Sequence, residues 1–383
     1  CTVFVLTLSY VDMVRWWTLC TAVAAPVALA ATVRSTIFLN FRDLLARSMH
    51  WPRRLLHTRS KLVSQKQIRA AFLPLSAADA SAQWKRQLSG ALETMARLSP
   101  SSRIYVLWTG GWANGPLTRE TITELSIAYD CIPTNAPQLD LVPLLPSAGW
   151  SAEYVGRTIT DLDTLLVPAE MEECSKPAIQ AVTTARSMAC LSSCSVLNTT
   201  LGSAPRQMER PDAGNPTGPL VHACVAAGGT FDRLHAGHRL LLAVTALACS
   251  STVYLGIASD KLLAAKANAH LLWPFERRAD IARQFVLAVR PSVNVSISEL
   301  SDPKAPPKAA TMCEITALII SRETVEGGNK VVKMRMEHGI TDPLALILVD
   351  LVGSSSQAAD APKISSSTLR QIDAAVTTAP SAT

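Results

Sequence analysis

Between residues 220 and 351 five short apolar runs, "LVHACVA", "TVYLGIA", "VNVSISEL", "ITALIIS" and "LALILVDL", alternate with segments of helical period. Strands apolar on both faces have to be covered on both faces. Separated by helices, they form a parallel sheet between two helical layers. The spacing predicts strands over 220–226, 252–258, 293–300, 315–321 and 344–351. Helices are predicted over 237–250, 274–289, opened by Pro274, and 329–338. Ligands in such a fold bind at the carboxyl ends of the strands, near the point where strand order reverses.

Upstream the pattern is weaker but of the same kind. Residues 77–98 carry Trp84, Leu88, Leu92, Met95 and Leu98 at the spacing of an amphipathic helix. "RIYVLW" then reads as a strand ended by Thr109-Gly110-Gly111, a second helix falls near 117–128, and "LDLVPLL" is a further apolar run. Residues 198–219 are crowded with Gly, Pro, Asn and Thr, the composition of a linker. The fold class is thus α/β: a Rossmann-like C-terminal domain at 220–383, a linker at 201–219, a smaller α/β module at 71–200 and a leader at 1–70. No chemical motif stands out in the module, and the Gly-Gly turn reads as structural.

The leader holds most of the basic excess. From Met13 to Arg69 ten Lys and Arg residues face one acid, Asp43, and the net charge of the whole chain is only +6. Composition therefore does not call for a nucleic-acid partner. Residues 16–33 carry no charge, are broken by Pro26 and are at the short limit for a membrane span. The leader reads equally as a targeting segment and as a basic stretch that targets nothing. The expected location is the cytoplasm, with a mitochondrion or a membrane anchor as alternatives that rest on the leader alone. The nine cysteines include no CxxC pair and read as reduced, mostly buried thiols, with Cys190 and Cys194 placed to share a helix face.

The chemistry concentrates in "GGTFDRLHAGHRLLLA", residues 228–243, where the first strand of the C-terminal half meets its helix. Gly228 and Gly229 let backbone approach a ligand and allow positive φ. The following helix N-terminus offers amides and a dipole to an anion. His235 and His238, three apart, lie together around the first helical turn and can each offer an N–H to phosphate oxygens. Gly237 between them keeps the surface low. A zinc pair would call for i, i+4 spacing and a glutamate, which are missing, so no metal ligand is expected. A second cluster, "PKISSSTLRQ", sets Lys363, Ser365, Ser366, Ser367 and Thr368 before a helix holding Arg370, a second cradle for phosphates.

These residues resemble a known family. "GGTFDRLHAGH" is similar to the HxGH signature of the nucleotidyltransferase superfamily. The ISSSxxR segment resembles that of the pantetheine-phosphate adenylyltransferases, in the eukaryotic and archaeal form that also occurs within bifunctional coenzyme A synthase. "GIASDKLLAAK", "ISELSDP" and "IISRETVEGG" match further segments of that family in order, so the likeness covers nearly all of 220–372. Two departures stand out: Val332 where the family has asparagine, and "KAPPKAA" where it has Gly-Pro after Asp-Pro.

The resemblance implies an enzyme that transfers the adenylyl group of ATP to 4'-phosphopantetheine, giving 3'-dephospho-CoA and pyrophosphate in coenzyme A biosynthesis. It implies catalytic roles for His238, His235 and Lys266. ATP would be held by Gly228, Gly229, Thr230, Phe231, His235, His238, Arg322, Gly327, Gly328, Ser365, Ser366, Ser367 and Arg370. Thr230 and Lys266 would bind the attacking phosphate, with Lys261 a competitor for that role, and Mg²⁺ would travel with ATP. The alternatives are a cytidylyltransferase acting on phosphocholine or phosphoethanolamine and a degenerate nucleotide-binding protein.

Overall fold

The computed structural model describes residues 67–77, 83–168, 170, 175–203, 218–266, 268–350 and 366–371. The readings made for residues 1–66 of the leader, for Lys363 and for Ser365 lie outside the described residues, whereas Arg69, counted in the leader, pairs with Asp163 at 3.6 Å and Ala70 already opens a strand. All described residues belong to one unit, Gln67–Thr383. It holds two parallel sheets of five strands each.

The first sheet begins with β1 (Ala70–Ser76), whose first six residues are buried. Helix α1 (Gln83–Leu98) follows, with Trp84, Leu88, Leu92 and Met95 on its buried stripe as their spacing predicts. Next come β2 (Arg103–Thr109), α2 (Arg119–Asp130) and β3 (Asp140–Leu144). Thr118 and Thr121 form a reciprocal capping box at the start of α2, which satisfies amides the helix itself cannot. Pro143 sits in β3, which it can do because β3 is an edge strand. Helix α3 (Ala152–Thr158), β4 (Thr164–Val167), α4 (Ser175–Met188) and β5 (Ser195–Asn198) complete the module. Strands of four residues leave too little pattern to read, which is why β4 and β5 were not legible.

The second sheet comprises β6 (His222–Gly229), β7 (Cys249–Ala258), β8 (Asn294–Leu300), β9 (Ile315–Ser321) and β10 (Ala345–Val349). Its main helices are α5 (Ala236–Ala248), α6 (Phe275–Val289) and α7 (Val325–Glu337). The two sheets have the same strand order. In each, counting along its own chain, the order is third, second, first, fourth, fifth, and every pairing is parallel. The order reverses beside β1 in the first sheet and beside β6 in the second.

The sheets share one apolar core, which runs from Ala70 through Leu141 and Leu240 to Val349. Polar bonds cross the junction as well: Trp150 Nε1 donates to Val289 O at 2.8 Å, Leu220 N to Leu117 O at 2.7 Å and Arg119 Nη1 to Leu348 O at 2.7 Å. The start of the linker is not free chain. A Cβ on Gly90 of α1 would lie 1.7 Å from Thr200 O, so residues 199–202 pack onto α1 only because glycine stands there.

Three local expectations need correction. Helix α7 begins at Val325, not at 329, because Ser321 and Thr324 form a capping box ahead of it; Gly327 and Gly328 are therefore helical. Cys190 and Cys194 do not share a helix face, since α4 stops at Met188 and Cys190 turns away with φ 56°. Cys190 and Cys313 are also exposed, against the reading of buried thiols.

Candidate active site

A cavity of about 660 Å³ opens where the order of the second sheet reverses, at the carboxyl ends of β6 and β9. Gly228, Gly229, Thr230, His235, Gly237, His238 and Lys266 line one side. Gly327, Gly328, Ser366, Ser367 and Arg370 line the others. Two motifs distant in sequence thus face one space.

The glycines act differently from expectation. Gly228 and Gly229 finish β6 in ordinary extended backbone, and the left-handed φ angles fall on Phe231 (50°) and Arg233 (42°). Each such residue costs roughly 1–2 kcal/mol that its surroundings must offset. The offset comes from Asp232 between them, fully buried. Its carboxylate accepts from Trp273 N at 3.0 Å, Arg233 Nη1 at 3.0 Å and Arg370 Nη1 at 2.8 Å. Its carbonyl accepts from Ser366 Oγ at 2.6 Å. Charge-assisted bonds of this kind are about twice as strong as neutral ones, and here they tie the first motif to the second.

Phe231, expected at the nucleotide, lies under the floor. It is fully buried, its ring stands 5.4 Å from that of His238, and a Cβ on Gly229 would meet it at 3.0 Å. Gly229 is therefore needed to seat this ring as much as to admit a ligand. Gly237 plays a similar part, because a Cβ there would lie 3.2 Å from the His235 ring.

His235 caps α5, its Nδ1 accepting from Gly237 N at 3.2 Å. An accepting Nδ1 carries no proton, so the neutral ring carries it on Nε2 as a donor. The His238 ring stacks on it at 4.1 Å between centroids. Burial lowers the His238 pKa to about 4. The Arg233 backbone opposes that shift without closing a hydrogen bond to Nδ1, and the charges of Arg239 and Lys266 add to it. At neutral pH His238 is thus an uncharged dipole at the cavity wall.

Lys266 Nζ reaches Thr230 Oγ1 at 3.3 Å, so the lysine and threonine expected to act on one phosphate stand together. Lys261 does not line the cavity. Arg278, unnoticed in the sequence, holds this corner: fully buried, it donates to Thr230 O at 2.8 Å and to Trp273 O at 2.8 Å and pairs with Asp260 at 2.6 Å.

At the far wall Ser367 Oγ accepts from Arg370 Nη2 at 2.8 Å, and Arg370 is almost wholly buried. Arg322 stands behind the wall. It pairs at 2.8 Å with Asp350, which does line the cavity and also meets Arg119 at 3.5 Å. Asp232, Arg278 and Asp350 were missed because a lone charged residue in a sequence does not announce its partners. Asp232 alone had a signal, being inside the motif. Among the described residues no group of three or more His, Cys, Asp or Glu side chains is set to hold a metal ion, and no helix is long and apolar enough to cross a membrane.

A cytidylyltransferase-like family model matches residues 226–372. The chain is 35% identical over 147 residues to a phosphopantetheine adenylyltransferase of Thermococcus gammatolerans, a match that takes in 38% of this chain and 86% of that one. A phosphopantetheine adenylyltransferase of Saccharomyces cerevisiae is 35% identical over 147 residues, 38% of this chain and 47% of the relative. An uncharacterized protein of Schizosaccharomyces pombe is 32% identical over 148 residues, 39% of this chain and 45% of the relative. The chain thus spans about half the length of the two yeast relatives, and most of the archaeal one.

Proposed function

Since the chain belongs to the phosphopantetheine adenylyltransferase family of cytidylyltransferase-like nucleotidyltransferases, we propose that it transfers the adenylyl group of ATP to 4'-phosphopantetheine. A phosphate oxygen of the acceptor attacks the α-phosphorus of ATP, the bond to the bridging oxygen of the β-phosphate breaks, and 3'-dephospho-CoA and pyrophosphate leave. One observation carries the reading: the cavity brings His235 and His238, the Thr230–Lys266 pair and the Ser366–Ser367–Arg370 cluster to one space.

The attacking phosphate is anionic at neutral pH and needs no base. What the chain must supply is alignment and neutralisation of charge on five-coordinate phosphorus. Lys266 and Thr230 bear on the attacking phosphate. The Nε2–H of His235 and the uncharged ring of His238 bear on the α-phosphate, each such donor worth roughly 2–4 kcal/mol of barrier. Ser366, Ser367 and Arg370 hold the departing phosphates, with Asp232 fixing Arg370 against them. Gly327 and Gly328 bring the start of α7 close to the nucleotide. Mg²⁺ would enter with ATP, held by phosphate and water, and would neutralise charge there; of the described lining carboxylates, Glu323 and Asp350, Asp350 is already paired with two arginines. The enzyme would work in the cytoplasm unless residues 1–70 direct it elsewhere; sequencing the mature N-terminus and fractionating cells tests that.

Pyrophosphate release with ATP and 4'-phosphopantetheine, against CTP and phosphocholine, tests the assignment. Turnover with the first pair is expected. Turnover only with the second would make the protein a cytidylyltransferase, and nucleotide binding without turnover by either would make it a degenerate relative.

A further inference from the structure

The cavity at the end of the second sheet is not uniform in its chemistry. Toward β6 and β7 its lining offers donors and a cation: Thr230, His235, His238 and Lys266. Toward β9 and β10 it carries its two described carboxylates, Glu323 and Asp350. Asp350 follows β10, whose last residue, Val349, pairs with Ser321 at the end of β9. Two arginines hold the Asp350 carboxylate, Arg322 Nε at 2.8 Å from Oδ1 and Arg119 Nη2 at 3.5 Å from Oδ2. Neither arginine is among the described residues that line the cavity. What this cluster presents to the space is therefore carboxylate.

An ionised carboxylate only accepts hydrogen bonds, and its two oxygens offer about four acceptor positions. Phosphate oxygens are acceptors too and carry like charge, so they are disfavoured against it. The part of a ligand that lies on Asp350 must bring a neutral O–H or N–H. Strand order says which part that is. In the order β10-β9-β6-β7, Asp350 stands two strands, roughly 10 Å, from β6 and its histidines. Lys266 and Thr230 lie on the far side, after β7 and β6. With the acceptor phosphate at Lys266 and the α-phosphate at the histidines, the nucleoside lies toward β9 and β10. There is space for it beside α7, where a Cβ on Gly327 would meet nothing within 4 Å.

We propose that Asp350 recognises the nucleoside of the adenylyl donor by accepting a hydrogen bond from one of its neutral O–H or N–H groups, and that Arg119 positions Asp350 for this. The inference rests on the adenylyl-transfer reading, which places the phosphates. Arg119 is the first residue of α2, and its Nη1 also donates to Leu348 O at 2.7 Å. One guanidinium thus fixes both the backbone of β10 and the carboxylate just beyond it. Through this contact the module at 71–200, which has no chemical motif of its own, takes part in choosing the nucleotide.

Isothermal titration of nucleotides into the full chain without acceptor reads this contact apart from turnover. ATP is compared with 2'-deoxy-ATP, with 3'-deoxy-ATP and with purine riboside triphosphate, which lacks only the amino group of the base. An analogue that lacks the bonded group should bind about tenfold more weakly than ATP, as expected for one hydrogen bond to a charged group. Loss with a deoxy analogue assigns the ribose, and loss with the purine riboside assigns the base. Asp350→Ala and Arg119→Gln should each shrink the penalty to within about twofold, and Arg119→Lys should restore it. An arginine with a merely structural part would change the affinity for all four nucleotides alike. The series on the unaltered chain decides the matter even if a variant does not fold. Equal affinity for all four, or a penalty that persists in the folded variants, overturns the proposal. Discriminating binding without pyrophosphate release from ATP and 4'-phosphopantetheine would tell against the transfer reaction and not against this contact, whereas absence of ATP binding would overturn both.

Discussion

The two sheets share a strand order and differ in what stands at their carboxyl ends. In the second sheet β6 ends in two glycines, the loop after it folds around Asp232, and a cavity remains. In the first, Trp108 near the end of β2, Trp112 just beyond it and Trp84 at the start of α1 pack on one another at 5.6 to 6.0 Å. Indole rings fill there what imidazoles and glycines leave open in the second. Among the described residues the same topology thus carries a packed aromatic cluster in one place and an open cavity in the other. Side chains at strand ends, not strand order, decide which.

The sharpest way to break this contrast is to exchange its terms. Trp108→Ala should cost about 3–5 kcal/mol of stability, as large aromatic deletions from a core do, and leave turnover per folded molecule unchanged. Urea unfolding monitored alongside pyrophosphate release checks both halves; a specific loss of turnover would give the first sheet a part in the chemistry. His238→Ala should do the reverse, lowering kcat by about 10²–10³ while nucleotide still binds, more weakly. Near-normal turnover would remove His238 from its assigned role.

Acid should expose the same histidine through stability. The folded chain holds His238 at about 4 against an ordinary 6.5, so between those values the folded state binds fewer protons than the unfolded one. The contribution is complete above pH 6.5 and is lost as pH falls toward 4, by up to about 3 kcal/mol. His238→Gln should flatten that slope in urea midpoints taken at pH 7, 6 and 5; an unchanged slope would assign the acid sensitivity to other groups. The smallest effect separates two lysines. Lys266→Gln should raise KM for the phosphorylated acceptor about tenfold, the worth of one charge-assisted bond, and Lys261→Gln should leave it within about twofold. Equal effects would show that Lys266 acts only as general positive charge.

What was legible in the sequence followed from repetition and from rarity. The long apolar strands of the second sheet and the buried stripe of α1 repeat a pattern. The pair of histidines and the serine run are too unusual to be filler. What escaped was relational. Nothing in a linear string shows that Asp232 bonds Arg370 or that Arg278 carries Thr230, because these pairs are made only by folding. Nor could the left-handed φ angles be placed, since Phe231 and Arg233 adopt them under the pull of Asp232 while the neighbouring glycines remain extended. Arg322 was assigned to the nucleotide for its position beside a recognisable segment; its pairing with Asp350 sets it one layer back.

The bond from Arg370 to Asp232 joins residues 138 apart in sequence. A contact of that separation closes a long loop, and such contacts form late because their entropy cost falls due before any other bond repays it. During synthesis the first sheet, complete by Asn198, can pack before residue 370 is made, but the bond that joins the two motifs cannot form until then. Closure of the candidate site should therefore be an event separate from, and later than, the packing of the first sheet.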